Sequence, residues 1–226
     1  MSNNTPTKDI RTLGIVLKRT NYGEADRILS IITPNGKMSV IAKGVRKPKS
    51  KLAGAVEMLT LSELMVHFGR SELGILTSAK MMQHFSELML DYNKMTLAGD
   101  IMKRVNKLSE SADTAKYFEI TKQCLVGLNN GMNMEMVESF ALLNLKQAAG
   151  EEINLYRDTL GEKLAVGTRY NWDGPEEAFH ADENGEFGTD EIKMMRLITT
   201  MDLNVVNRVK TNNQVMPRIL GLARRI

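Results

Sequence analysis

From Leu13 to about Phe85, apolar and polar residues alternate with the short period of strands, and beyond that the period lengthens to that of helices. LGIVLKRTNY is the first strand-like run and turns at Tyr22-Gly23. DRILSIITP follows and breaks at Pro34-Asn35-Gly36, where Pro sets φ early and Asn-Gly tolerates positive φ, a hairpin signal. GKMSVIAKGV is the predicted return strand. VEMLTLSELMVHFG and ELGILTSAKM, parted by Gly69-Arg70-Ser71, bring the count to five short strands. Five strands meeting at glycine-rich turns predict a small closed or nearly closed antiparallel barrel.

Past residue 80, Met81, Phe85, Leu88 and Tyr92 recur at helical spacing, and Leu97, Ile101, Val105 and Leu108 repeat it. Ser111 or Asp113 can cap a further helix carrying Tyr117, Ile120, Cys124 and Leu128, which Asn129-Asn130-Gly131 ends. Asn133 caps the next, through Met134, Val137, Ala141, Leu145 and Ala148, and Gly150 stops it. Residues 81–150 therefore read as a helical bundle. Residues 150–188 sustain no helical stripe and are rich in acids, among them Glu151, Glu152, Glu176, Glu177, Asp182 and Glu183. An irregular insert is expected there, with one weak hairpin, Arg169–Trp172 against Ala178–Ala181. Helix resumes at Thr189-Asp190-Glu191, with acids in the first turn where the dipole favours them, and again from about Asn213. The expected fold is β + α in two domains: residues 1–80 a five-stranded barrel, and residues 81–226 helical with the insert at 150–188. By analogy with barrels of this size that bind polyanions, the first is expected to be an oligonucleotide-binding (OB) barrel.

Charge sharpens this division. Residues 1–80 hold 13 Lys/Arg against 6 Asp/Glu, a balance of +7, and the remainder holds 17 against 21, a balance of −4. A polyanion partner on the basic half is implied. The densest run is AKGVRKPKSKLAG, in which Lys43, Arg46, Lys47, Lys49 and Lys51 occur with no acid among them. Like charges so close are tolerated only in solvent or against an anion, and Pro48 denies the run a regular helix. The run reads as a basic loop.

Catalytic chemistry finds little support. Gly36-Lys37 is followed by Met38, so no phosphate-cradling loop is formed, and Gly69-Arg70-Ser71-Glu72-Leu73-Gly74 misses the nucleophile-elbow spacing. His67, His84 and His180 are scattered without ligand spacing. Cys124, the single cysteine, sits on an apolar helical stripe. Sixteen methionines, mostly in the helices, read as adaptable core filling rather than as a partner groove. No run is long and apolar enough to span a membrane, and the N-terminus has no signal-like segment, so a cytoplasmic protein is expected.

The stretch GIVLKRTNYGEADRILSIITPNGKMSVIAKGVRKPKSKLAGAVEMLTL resembles the N-terminal OB domain of the RecO family of bacterial recombination mediators. The matching pieces are Tyr22-x-Glu24-x-Asp26, Thr33-x-x-Gly36 and Ala42-Lys43-Gly44-Val45-Arg46 with its trailing Lys-Ser-x-Leu. The resemblance implies a non-catalytic protein, associated with the bacterial nucleoid, that binds single- and double-stranded DNA and anneals complementary strands. It also implies engagement of the acidic tail of single-strand-binding protein (SSB) and, with RecR, help for RecA in displacing SSB. Many members carry a four-cysteine zinc site after the fourth helix; here Arg157 and Leu160 stand where cysteines are expected, so zinc is expected to be lost and no cofactor is implied. Packing around Trp172, Tyr170 and Phe179 is expected to hold the insert instead.

On this reading the basic loop joins strands three and four and overhangs a binding face. Lys43, Arg46, Lys47, Lys49 and Lys51 would track phosphates, Lys18, Arg19, Arg27 and Arg70 would extend the patch, and Tyr22 is the better stacking platform. About six phosphate contacts would cost roughly 10³-fold in affinity between 50 and 200 mM salt. Lys103, Arg104, Lys107, Lys146 and Arg196 are candidate cations for the SSB tail. The alternatives are an OB-fold RNA-binding or translation-associated module and, with weaker support, a nuclease using the Glu24/Asp26 pair.

Overall fold

The computed structural model describes residues 8–109, 115–151 and 153–226. The chain divides into two compact units at Asn129/Asn130. The first is built on five strands, β1 (Lys8–Tyr22), β2 (Asp26–Thr33), β3 (Gly36–Ala42), β4 (Thr60–Phe68) and β5 (Gly74–His84), closed into a barrel in the order β1-β2-β3-β5-β4. Closure depends on the length of β1. Its first half pairs with β4, Lys8 to Phe68 through Ile15 to Leu61, and its second half pairs with β2, Ile15 to Ile32 through Tyr22 to Asp26. A bulge between Val16 and Lys18 bends the strand from one partner to the other. One pair is parallel: β3 meets β5 at Val40–Gly74 and Ile41–Ile75. Leu29, Ile31, Val40, Ala42, Leu64, Val66 and Leu76 alternate inward and fill the barrel.

Two helices, α1 (Tyr92–Leu108) and α2 (Ala115–Asn129), pack on the outside of β1–β3 in the same unit. Ile15 and Ile32, opposite one another on that outer face, are fully buried. Ser30 Oγ donates to Asn106 Oδ1 at 2.7 Å, and Lys37 Nζ donates to the Asn106 carbonyl at 2.7 Å. Asp91 caps α1 by accepting from the Asn93 and Lys94 N–H groups. Ser111 and Asp113, the expected caps of α2, lie outside the described residues.

The second unit gathers α3 (Met134–Ala148), the hairpin β6 (Tyr170–Asp173) and β7 (Ala178–Ala181), α4 (Thr189–Thr200), the single turn α5 (Leu203–Val206) and α6 (Val215–Arg225). Helices α3, α4 and α6 bury Phe140, Leu145, Met195, Ile198, Ile219 and Leu222. Asn133 caps α3 by accepting from the Met136 N–H at 3.0 Å. Glu191 is buried in the first turn of α4, where its carboxylate accepts from the Gly188 N–H at 2.9 Å and from Arg218 at 2.8 Å. Burial raises the pKa of that carboxyl, but the Gly188 N–H and the Arg218 guanidinium outweigh it, and the net shift is downward. In the 151–188 segment, Phe179 and Phe187 are fully buried and Tyr170 nearly so, with Phe179 edge-on to both Trp172 and Phe187. The Tyr170 hydroxyl accepts from the Ala165 N–H at 2.8 Å.

Three expectations are revised. The stripe Met81, Phe85, Leu88, Tyr92 is not one helix: β5 runs to His84, a 3-10 turn occupies Ser86–Leu90, and α1 starts at Tyr92. The barrel lets this segment bury Phe85 and Leu88 without helix, because the Phe85 N–H donates to the Leu59 carbonyl at 3.0 Å. Residues 81–150 are not one bundle, since α1 and α2 belong with the barrel and α3 with the second unit. The compact units therefore divide at Asn129/Asn130, not at residue 80. The methionines split too: Met102, Met136, Met194 and Met195 are core, whereas Met81, Met82, Met89, Met95 and Met201 are exposed.

Candidate nucleic-acid interface

The loop between β3 and β4, residues 43–59, is held at one end of the barrel by its own apolar residues. Val45 and Val56 are buried in the barrel core, and Leu52, Ala53 and Met58 pack against it. Each buried valine contributes roughly 1.5–3 kcal/mol, enough to seat the loop as a plug. Two latches fix its start. The Asp26 carboxylate accepts from the Gly44 N–H at 2.7 Å, and the Arg46 N–H donates to the Ala25 carbonyl at 2.9 Å. Gly44 has a φ of +63°, a left-handed conformation that a side chain would resist. Arg46 Nη1 also reaches the Gly23 carbonyl at 3.2 Å. The two sequence pieces Tyr22-x-Glu24-x-Asp26 and Ala42-Lys43-Gly44-Val45-Arg46 thus meet as lock and catch.

With the apolar residues turned in, Lys43, Arg46, Lys47, Lys49 and Lys51 all face solvent. Among the described residues none of the five forms an ion pair. Tyr22, 55% exposed, stands at the β1–β2 turn on the same end of the barrel, and Lys18 is exposed on β1.

Three other cations behave differently. Arg19 and Arg27 lie one on each strand of the β1–β2 hairpin, and both pair with Glu57, Arg27 at 3.4 Å. Glu57 sits at the far end of the basic loop and already offsets part of their charge. Arg70 is not near the loop at all. It lies in the β4–β5 turn, and the register places that turn beside the start of β1 and the β2–β3 turn, at the opposite end of the barrel. On the outward face of β2–β3, where OB barrels take oligonucleotides, Ser30 and Lys37 are bonded to Asn106 of α1, and α2 packs nearby, while Ser39 stays exposed. The densest open cationic surface is the plugged end.

Sequence reasoning missed Glu57 as a counter-ion and Asp26 as a latch. The one sequence signal for the latch is the short polar motif itself, whose partner lies 18 residues on. The candidate cations for an acidic tail are divided between the units: Lys103, Arg104 and Lys107 on α1, Lys146 and Arg196 on α3 and α4. Lys146 pairs with Glu151 at 3.3 Å, and Arg196 donates to the Leu155 carbonyl and lies over the Tyr156 ring. Where the family resemblance implies a four-thiolate zinc site, the residues present do not fit one: Arg157 donates to the Gly161 carbonyl at 2.6 Å, and the only thiol, Cys124, is buried in α2 with its pKa raised by burial.

Fold and site define a class: an OB-like barrel with a cation-bearing β3–β4 loop, continued by helices. Residues 8–85 match the family model of the recombination protein O N-terminal domain. The chain is 35% identical over 158 residues to the DNA repair protein RecO of Roseiflexus sp. (strain RS-1), a match covering 70% of this chain and 54% of that protein. It is 27% identical over 224 residues to the DNA repair protein RecO of Dehalococcoides mccartyi (strain CBDB1), covering 95% of this chain and 88% of that one. A third relative, from Acetivibrio thermocellus, is 38% identical over 98 residues, 39% of its length. The chain belongs to the RecO family of DNA repair proteins.

Proposed function

We propose that this protein is a non-catalytic recombination mediator that binds single- and double-stranded DNA through the β3–β4 loop and anneals complementary strands. The observation that carries the reading is the set of five exposed cations, Lys43, Arg46, Lys47, Lys49 and Lys51, unpaired among the described residues and seated on a fixed plug. Such a surface meets phosphates without the entropic cost of ordering itself, and each neutralised phosphate releases condensed counterion. Annealing follows from the same charge, since neutralising both strands removes the repulsion that opposes their pairing. Lys18 and Tyr22 extend the surface along β1, and Arg19 and Arg27 contribute only what Glu57 leaves unneutralised. Membership of the RecO family supports a role with RecR in loading RecA onto SSB-coated strands, carried out in the bacterial cytoplasm. No helix among the described residues is long and apolar enough to cross a membrane. The test is a strand-annealing assay, with and without SSB, on a variant with all five loop cations changed to Gln. Loss of annealing at unchanged thermal stability supports the reading, and wild-type annealing by that variant rejects it.

A further inference from the structure

A groove of about 730 Å³ lies at the end of the barrel away from the basic loop, between the start of β1, the first residues of β3 and the β4–β5 turn. Its origin is topological. β3 pairs with β5 only at Val40 and Ile41, so below them the barrel parts. Its size is within the range of pockets that take small ligands, about 300–1,000 Å³.

The lining combines an aromatic ring with cations and a hydroxyl. Phe68, one of two aromatics in residues 1–80, lines the groove. Its ring lies directly on the backbone of Gly74: a methyl added there would meet Phe68 Cε1 and Cζ at 2.9 Å. Glycine at this point lets the half-buried ring settle close to the strand, packed also against the barrel core. Lys8 lines the groove and is exposed, and Arg70 is exposed in the β4–β5 turn, whose Glu72 and Leu73 line it. Neither forms an ion pair among the described residues. Exposed Ser39 adds a hydroxyl, and Glu72 is the one carboxylate lining the groove. A flat ring flanked by cations and a hydroxyl suits an unstacked base with phosphates on either side.

We propose that this groove holds a second DNA strand, with a base on Phe68 and its flanking phosphates at Lys8 and Arg70, while the first strand runs on the β3–β4 loop. The inference rests on the reading of that loop as a DNA-binding surface. It supplies what annealing needs beyond charge neutralisation: two strands held on one rigid barrel meet at a far higher effective concentration than two free strands. The cation that the sequence would assign to the loop patch, Arg70, belongs to this second site.

The experiment measures how many tetranucleotides, short enough not to bridge the two ends, the full chain binds at saturation, and how fast longer complementary strands anneal. The variants are Lys8→Ala/Arg70→Ala, which removes only exposed groups, Phe68→Leu, which keeps packing on Gly74, and the five-fold loop variant. The wild type is expected to bind two strands. The Lys8→Ala/Arg70→Ala chain is expected to bind one, with first-strand affinity unchanged, and to anneal about tenfold more slowly; Phe68→Leu should weaken the second strand by about the tenfold or more typical of removing a base–aromatic stack. One strand per wild-type chain, or two per Lys8→Ala/Arg70→Ala chain, overturns the proposal. Undiminished first-strand affinity in the loop variant overturns the loop reading separately. An acidic peptide that protects Lys8 and Phe68 while DNA stays bound would make the groove a protein-docking site and also overturn the proposal.

Discussion

Lys43, Arg46, Lys47, Lys49 and Lys51 in the first unit meet no carboxylate among the described residues, whereas Arg218, Arg224 and Arg225 on α6 of the second unit meet Glu191, Glu138 and Glu186. In sequence the two sets look alike, each a cluster of cations near apolar residues. In the fold they are opposites. The α6 arginines hold α6 to its neighbours; Arg224, for example, grips both oxygens of Glu138 at 2.7 Å. The loop cations form no ion pair among the described residues, Arg46 reaching only the Gly23 carbonyl, and Val45 and Val56 do the holding. A basic cluster becomes a binding surface where packing fixes the backbone and leaves the charge unanswered. Arg19 and Arg27, shared with Glu57, stand between the two cases.

The largest break in this comparison is expected from changing the five loop cations to Gln. Strand annealing should fall at least about a hundredfold at physiological salt, since several phosphates then go unneutralised at once. Circular dichroism should show the melting temperature unmoved, because all five side chains are exposed. Asp26→Ala should act on the plug rather than on the charge. Leaving the Gly44 N–H without its acceptor costs about 1–3 kcal/mol in denaturant melts of the first unit, and DNA affinity should fall along with it.

The converse break lies in the second unit. Glu191→Gln should destabilise it by about 1–3 kcal/mol in urea titrations and leave DNA affinity unchanged. The pH dependence has a definite sign. The Glu191 pKa is lowered on folding, so its contribution is present above the unfolded carboxyl pKa of about 4.3 and is lost as pH falls through the folded value. Urea midpoints of wild type and Glu191→Gln should therefore converge as the solution is acidified. Glu57→Gln sharpens the intermediate case. It frees Arg19 and Arg27, and filter binding should show severalfold tighter DNA binding with a salt slope steeper by up to about 0.9 per guanidinium. The smallest effect is expected from Arg224→Gln/Arg225→Gln: no change in DNA affinity, and a loss of stability of about 0.2–1 kcal/mol per exposed pair.

Much of the fold was legible because its signals are local. The turn at Pro34-Asn35-Gly36, the Asn133 cap, the β6–β7 hairpin and the start of α4 at Thr189 all fall where short-range chemistry puts them. The misses are long-range. A strand end followed by a 3-10 turn reproduced the four-three-four spacing of a helix at Met81–Tyr92, and the long-range pairing with β4 and Leu59 distinguishes the two. The basic loop stood out in sequence, but which cations join it depended on barrel register. Arg70 is 19 residues beyond Lys51 in the chain and at the other end of the barrel, while Glu57 reaches across 38 residues to Arg19. No period or motif encodes such pairings.

The most direct test is the slope of log affinity against log salt for a short single strand, measured on the wild type and on the five-fold loop variant. If the unpaired loop cations carry DNA binding, the slope is shallower in the variant by about 0.7 for each phosphate no longer neutralised, the single-strand value. Equal slopes in the two proteins would place the phosphate-binding groups elsewhere and contradict the account.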